Sequence, residues 1–251
     1  REGSITVVSR EAEGPYARCL ITDVVEGRMK EADLAVRPPT VYRELGVKRL
    51  SGGEMRRIIP DEGIALLGDG QAIPYDRLLL ATGAAPAFPP VPGIDLRGVF
   101  GLRTLVDARA LAEKVAEVRQ GSELRQTSEF RRSAKDREAV VIGAGPIGLE
   151  AAEALAHCGL RVTVVEKAPR VLPSQLDDPA AALIEAALRS AGIEILCGIG
   201  LKEIIGGKTV SGVVLEDGRV LPAELVLVAT GVRPQVSLAQ ETGIEIGNGF
   251  L

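Results

Sequence analysis

The chain has 251 residues, with 30 Lys and Arg against 34 Asp and Glu for a formal net charge of −4. A hydrophobic content of 46% beside 25% charged residues describes a chain that builds an aliphatic core, and it excludes intrinsic disorder. The mild acidity gives no pull toward nucleic acid or an anionic membrane, and no apolar run reaches the roughly 18–20 residues of a membrane span.

In chain order, residues 5–8, 78–81, 140–142, 162–165 and 225–229 are short Val/Leu/Ile/Ala runs bounded by Gly or Pro, and they read as strands buried on both faces. Residues 107–120 read as a helix with Asp107 near its start and Gly121 as its stop, 147–158 as a second, and 179–191 as a third ended by Gly192. Between the first helix and the strand at 140, residues 120–138 are charged with mixed signs and read as an exposed insertion. Strands alternating with helices predict an α/β fold with a largely parallel sheet. The opening residues contain no apolar signal region, and Cys19, Cys158 and Cys197 form no CxxC pair. A cytoplasmic, reduced protein without disulfide framework or metal site is expected.

An internal repeat divides the chain. Residues 68–86 (GDGQAIPYDRLLLATGAAP) recur at 216–234 (EDGRVLPAELVLVATGVRP), 148 positions on, with eight of nineteen identical. Each copy runs from an Asp-Gly turn through a short strand and a Pro to a strand ending in Ala-Thr-Gly. The expected architecture is therefore two Rossmann-like nucleotide-binding halves with mainly parallel sheets. Projected back, the glycine motif of the second half has its counterpart before residue 1. The first half is thus expected to lack its opening strand and phosphate loop, and the chain to be truncated at both ends.

That motif is Gly143-Ala144-Gly145-Pro146-Ile147-Gly148, which follows a buried strand and opens a helix. In such a G-x-G-x-x-G turn the first Gly permits the bend, the second lets backbone approach a pyrophosphate, and the third lets helix and strand pack closely. The helix N-terminus adds free N–H groups and its positive dipole end. Glu166 closes the next strand, 23 positions after Gly143, where an acidic group meets a ribose 2′-OH and repels a 2′-phosphate. NAD(H) is expected over NADP(H).

The chain resembles the pyridine nucleotide-disulfide oxidoreductases, nearest the branch of NADH oxidases, coenzyme A-disulfide reductases and nitrite reductase large subunits. The resemblance lies in PYARCL (15–20), YDRLLLATGAAP (75–86), GVFGLRTLVDA (98–108), VIGAGPIGLEAAEAL (141–155), VTVVEKAPRVLP (162–173) and LVLVATGVRP (225–234). It implies an FAD-domain-like half over 1–105, an NAD-binding Rossmann domain over 106–232, and a return segment from 233 to 251. It further implies hydride transfer from NADH to FAD and on to an acceptor, a small molecule or a redox protein. By the same resemblance Thr82 and Gly83 belong to the FAD side and Thr230 and Gly231 lie beside the nicotinamide. Glu150 matches a family Glu that pairs with a Lys near the flavin, here aligned with Asp23, and Pro146 stands where other members carry a gating aromatic. Cys19 matches the single redox cysteine of the branch, with Arg18 placed to favour its thiolate; as a residue it reads equally as a small buried hydrophobe. Cys158 and Cys197 read as core residues, and His157, near a helix C-terminus, as a cap or dipole partner. FAD is expected from the family, yet a chain without the first phosphate loop loses the pyrophosphate anchor. The alternative is a non-catalytic NAD-binding module, or a subunit whose first half is completed by homo- or hetero-oligomerisation.

Overall fold

The computed structural model describes residues 3–38, 40–126, 137–240 and 242–247. The chain divides into two compact units, one of residues 1–17, 34–85 and 233–251 and a second of 18–33 and 86–232.

It opens with β1 (Ile5–Ser9) in the first unit and, after a 3-10 turn (Arg18–Leu20), α1 (Ile21–Glu26) in the second. In the first unit α2 (Val41–Glu44) leads into β2 (Val47–Ser51), which pairs in parallel with β1, Ile5 opposite Val47. Then β3 (Met55–Ile59), β4 (Ile64–Leu67) and β5 (Ala72–Pro74) form an antiparallel meander. Among its described residues, the unit's buried apolar side chains are Leu34, Ile58, Ala65, Leu67 and Ala239. The expectation of strands buried on both faces fails twice here. β1 has one partner strand and leaves Ile5 60% exposed. Residues 78–81 form no strand, and Leu79 is 87% exposed. The cause is pairing: among the described residues no strand of this unit lies alongside 78–81, so an apolar run of strand composition has no ladder to join. The chain leaves this unit through β6 (Ala84–Pro86).

The second unit is built on five parallel strands. Following β7 (Val99–Phe100) and α3 (Leu105–Gln126) come β8 (Glu138–Ile142), α4 (Pro146–His157), β9 (Arg161–Glu166), α5 (Asp178–Ser190) and β10 (Glu194–Cys197). An antiparallel meander of β11 (Leu201–Gly206), β12 (Val210–Leu215) and β13 (Val220–Pro222) precedes β14 (Leu225–Val228), and the chain passes back to the first unit within β15 (Val232–Pro234). The sheet order is β10-β9-β8-β14-β7, parallel at every pairing. Side chains alternate across a strand, so Val140, Ile142, Val226 and Val228 face one way and meet Ile204, Val213 and Leu215 of the meander. The opposite face carries Val141 and Leu227, fully buried, on the side covered by α4. Burial on both faces is why these strands read as unbroken apolar runs.

The helices sit within two residues of their expected starts, but α3 runs through Gly121 to Gln126. Glycine inside a helix costs about 1 kcal/mol against Ala and does not by itself impose an end. The start of α3 is fixed by a reciprocal cap: the Asp107 carboxylate accepts from Thr104 N at 2.8 Å, and Asp107 N donates to Thr104 Oγ1 at 3.3 Å. Part of the charged 120–138 segment is thus helical, and residues 127–136 lie outside the described residues. The repeat is visible in backbone detail. Gly70 N donates to Leu67 O and Gly218 N to Leu215 O, both at 3.0 Å, closing equivalent Asp-Gly turns.

Candidate dinucleotide-binding site

The site begins where β8 ends. Gly143 takes φ +107°, its N–H donates to Val165 O at 2.8 Å, and a Cβ there would lie 2.5 Å from Ala229 O. A Cβ on Gly148 would fall 2.0 Å from Gly143 O, so the helix rests directly on the turn. A Cβ on Gly145 would meet nothing within 4 Å. The first and third glycines are required by the protein's own packing, while the second faces open space. That space is the cradle a pyrophosphate needs, and the glycine turn fits a dinucleotide by this test. Gly145 caps α4 with extended backbone, Pro146 takes the first turn where its missing N–H costs nothing, and no acidic residue enters that turn.

Glu166 ends β9 and reaches back to the turn. Its Oε2 accepts from Ala144 N at 2.7 Å and its Oε1 from Ala168 N at 2.7 Å. Each carboxylate oxygen keeps a lone pair for a further donor such as a ribose hydroxyl. Ala144 is fully buried, with its N–H committed to Glu166 and its carbonyl accepting from Leu172 N at 2.9 Å. It shapes the turn from inside and does not line the cleft.

A cleft of about 740 Å³ opens along this edge of the sheet. Of the expected residues it brings together Gly143, Gly145, Pro146, Ile147, Glu166, Thr230 and Gly231. Thr230 Oγ1 donates to Ala87 O at 2.6 Å, and Gly231 takes φ +116°. The cleft also carries Lys167, residues 173–175, Gly200 and Glu216, which sequence reasoning missed. Pro173 belonged to the recognised VTVVEKAPRVLP stretch, but Glu216 is 50 positions from Glu166 and no local pattern joins them.

Thr82 and Gly83 belong to the first unit. There Thr82 Oγ1 donates to Gln235 O at 2.5 Å and Gly83 O accepts from Gln235 N at 2.9 Å, the arrangement of Thr230 and Gly231 on Ala87 repeated. The G-x-G-x-x-G turn occurs once in the chain, at 143–148, so the described residues of this unit supply no glycine turn for an FAD pyrophosphate.

Glu150 lies on the exposed side of α4, away from the residues lining the cleft. Desolvation raises its carboxyl above the ordinary value, and the negative charges of Asp23 and Glu153 add to the shift. Two carboxylates, not a carboxylate and a lysine, therefore face each other from α4 and α1, and Asp23 is held by Arg28 Nη2 at 2.5 Å. Cys19 is exposed in the turn before α1, where Arg18 Nη1 donates to Arg103 O at 2.7 Å. Cys158 is buried, its Sγ–H donating to Val25 O at 3.7 Å, and burial pushes its thiol up. Cys197 is half-buried, its thiol raised by burial and then by Glu185 and Glu166. His157, expected in a cap or dipole role, lies in the last turn of α4 and places Nδ1 3.1 Å from Glu26 Oε1 on α1. Among the described residues no cluster of His, Cys, Asp and Glu could hold a metal ion, and no helix is long and apolar enough to cross a membrane.

A parallel sheet, a glycine turn and an acidic residue closing the next strand define an α/β dinucleotide-binding protein. The pyridine nucleotide-disulphide oxidoreductase family matches residues 1–251, and the chain belongs to it, a family of FAD- and NAD(P)-dependent oxidoreductases. The chain is 36% identical over 250 residues to the NADH-dependent phenylglyoxylate dehydrogenase subunit epsilon of Aromatoleum evansii, covering 100% of itself and 55% of that protein. It is 35% identical to an NADH oxidase of Methanocaldococcus jannaschii, covering 98% of itself and 53% of that protein. Among solved structures, putidaredoxin reductase in covalent complex with putidaredoxin superposes with a TM-score of 0.86 at 30% identity, over 99% of this chain and 57% of that one. The chain thus spans about half the length of the relatives it matches.

Proposed function

We propose that this chain belongs to an NADH-dependent flavin oxidoreductase that passes hydride from NADH to FAD and then to an acceptor, and that its second unit is the NADH-binding part. The observation that carries the reading is the cleft of 143–148 with Glu166 at its edge, in a chain whose family is FAD- and NAD(P)-dependent. Gly143, Gly145 and Ile147 hold the pyrophosphate against the start of α4, with Ala144, Pro146 and Gly148 fixing the turn. Glu166 accepts from the ribose and disfavours a 2′-phosphate, so NADH is preferred over NADPH. Thr230 and Gly231 present bare backbone to the nicotinamide, whose hydride is the chemistry the bound cofactor supplies. Thr82 and Gly83 serve the FAD side, and Cys19 relays electrons to the acceptor. The acceptor is a small molecule or a redox protein; a relative crystallised with putidaredoxin supports the second.

A second reading is an NAD-binding module or partner-dependent subunit without its own flavin. It is favoured by a relative that is itself named a subunit. The visible absorption spectrum before and after adding FAD and desalting separates the two. Retained flavin that NADH bleaches without oxygen supports the oxidoreductase. NADH binding without retained flavin supports the subunit, and a chain that binds neither refutes both.

A further inference from the structure

Among the described residues that line the cleft, Lys167 is the only cation, and Glu166 and Glu216 are the only anions. These three share one wall. Glu166 O accepts from Ile199 N at 3.1 Å and Ala168 O from Gly198 N at 2.8 Å, which ties the end of β9 to the connection between β10 and β11. Gly200 then binds Glu216 twice: Glu216 N donates to Gly200 O at 2.9 Å, and Gly200 N donates to Glu216 Oε2 at 3.2 Å. Gly200 leaves room for that carboxylate, since a Cβ there would stand 2.6 Å from Glu216 Cδ. The other carboxylate oxygen, Oε1, takes Lys167 Nζ at 3.3 Å. Glu216 is therefore a fixed anion whose free oxygen draws the adjacent lysine to itself.

A phosphate on the ribose would enter where Glu166 already places one fixed negative charge. Lys167, next in the chain, is the group that could offset it. Its side chain is 79% exposed and that of Glu216 50%, so the pair is open to solvent and the lysine could swing to another anion. We propose that Glu216 is a specificity-determining residue of the cleft: by engaging Lys167 it denies a 2′-phosphate its counter-charge. This rests on the reading of the cleft as an NADH site, and it assigns nucleotide choice to two carboxylates, the second of which holds the lysine.

The test is a double-mutant cycle on the full chain, E216Q, K167Q and both together, with NADH and NADPH affinities read by calorimetry at low and high salt. Glutamine keeps an oxygen for Gly200 N, and E216S removes the same charge should E216Q melt early. E216Q should raise the NADPH-over-NADH affinity ratio about three- to fivefold, the range open to a solvent-exposed pair, an effect that high salt weakens. In the double variant the ratio should return to within about twofold of K167Q, because the gain is made by the released lysine. A ratio that moves less than about twofold in E216Q overturns the proposal, as does a gain that survives in the double variant. In both cases NADH binding persists and the cleft reading stands. A wild-type chain that binds neither nucleotide overturns the cleft reading and this inference together.

Discussion

The two glycines that open α4 differ in what an added methyl would meet, and this difference separates packing from ligand binding. In Gly148→Ala the new Cβ would stand 2.0 Å from Gly143 O and 3.3 Å from Ala229 Cβ. A carbon and a carbonyl oxygen need more than 3 Å, so the start of α4 must lift by about 1 Å from β8, and neither neighbour is a flexible side-chain tip that could turn aside. Overpacking of this kind costs about 1–3 kcal/mol, and the better helix propensity of Ala returns up to about 1 kcal/mol. A net loss of about 1–2 kcal/mol is expected, or roughly 4 °C in melting temperature for a chain of this size. Lifting the helix also moves the N–H groups that face the phosphates, so NADH affinity should fall by about tenfold or more. In Gly145→Ala the methyl meets no protein atom within 4 Å, and the backbone at φ −77° and ψ 178° suits any residue. Stability should therefore stay within about 0.5 kcal/mol of the parent while NADH affinity still falls, because the methyl occupies the pyrophosphate's place. Thermal and urea unfolding with calorimetric NADH titration read both effects. Equal destabilisation in the two variants, or full NADH affinity in Gly145→Ala, would refute the assignment.

Three further outcomes are expected. Glu166→Arg should move preference toward NADPH, and Glu166→Ala should cost about 1–3 kcal/mol in urea unfolding because the N–H of buried Ala144 loses its acceptor; unchanged selectivity removes Glu166 from the ribose. The raised carboxyl of Glu150 means that the folded chain disfavours its ionised form, so Glu150→Gln should stabilise at neutral pH. That gain should vanish as the pH falls below 4.5, the ordinary carboxyl value, and Asp23→Asn should shrink it; a gain independent of pH refutes the electrostatic cause. Cys19→Ser should abolish reduction of disulfide or peroxide acceptors while leaving bleaching of the flavin by NADH intact, and stopped-flow spectra distinguish the steps.

Apolar runs and glycine spacing made the second unit legible. Residues 140–142, 162–165 and 225–229 read as buried strands because the parallel sheet covers both their faces, and β8, β9 and β14 are those strands. Residues 78–81 have the same composition and a different outcome, since a strand needs a neighbour to bond and composition does not report one. The Thr104-Leu105-Val106-Asp107 cap puts the start of α3 two residues before the expected 107, and Gly121 suggested too early an end. No sequence signal grouped α1 with residues 86–232, because that packing of α1 on α3 and α4 joins segments about a hundred residues apart. Lys167 and Glu216 were invisible for the same reason.

The 173–175 segment of the cleft is held by a residue that does not itself line it. Leu172 takes φ +47°, a left-handed conformation that a leucine adopts only when its surroundings impose it. Its N–H is fixed to Ala144 O, and the residues after it are gathered by Arg170. The Arg170 guanidinium donates through Nη2 to Pro173 O at 3.3 Å and to Leu176 O at 3.1 Å, and its Nη1 lies 2.9 Å from Asp178 Oδ1 at the start of α5. One guanidinium thereby organises the 173–175 segment that lines the cleft, while Ala144 ties that segment to the turn and Glu166 ties the turn to β9. The two walls are bonded through the protein's own backbone, without recourse to a ligand. A cleft so built spends little binding energy on ordering itself, so the affinity it offers a dinucleotide reflects contacts rather than rearrangement.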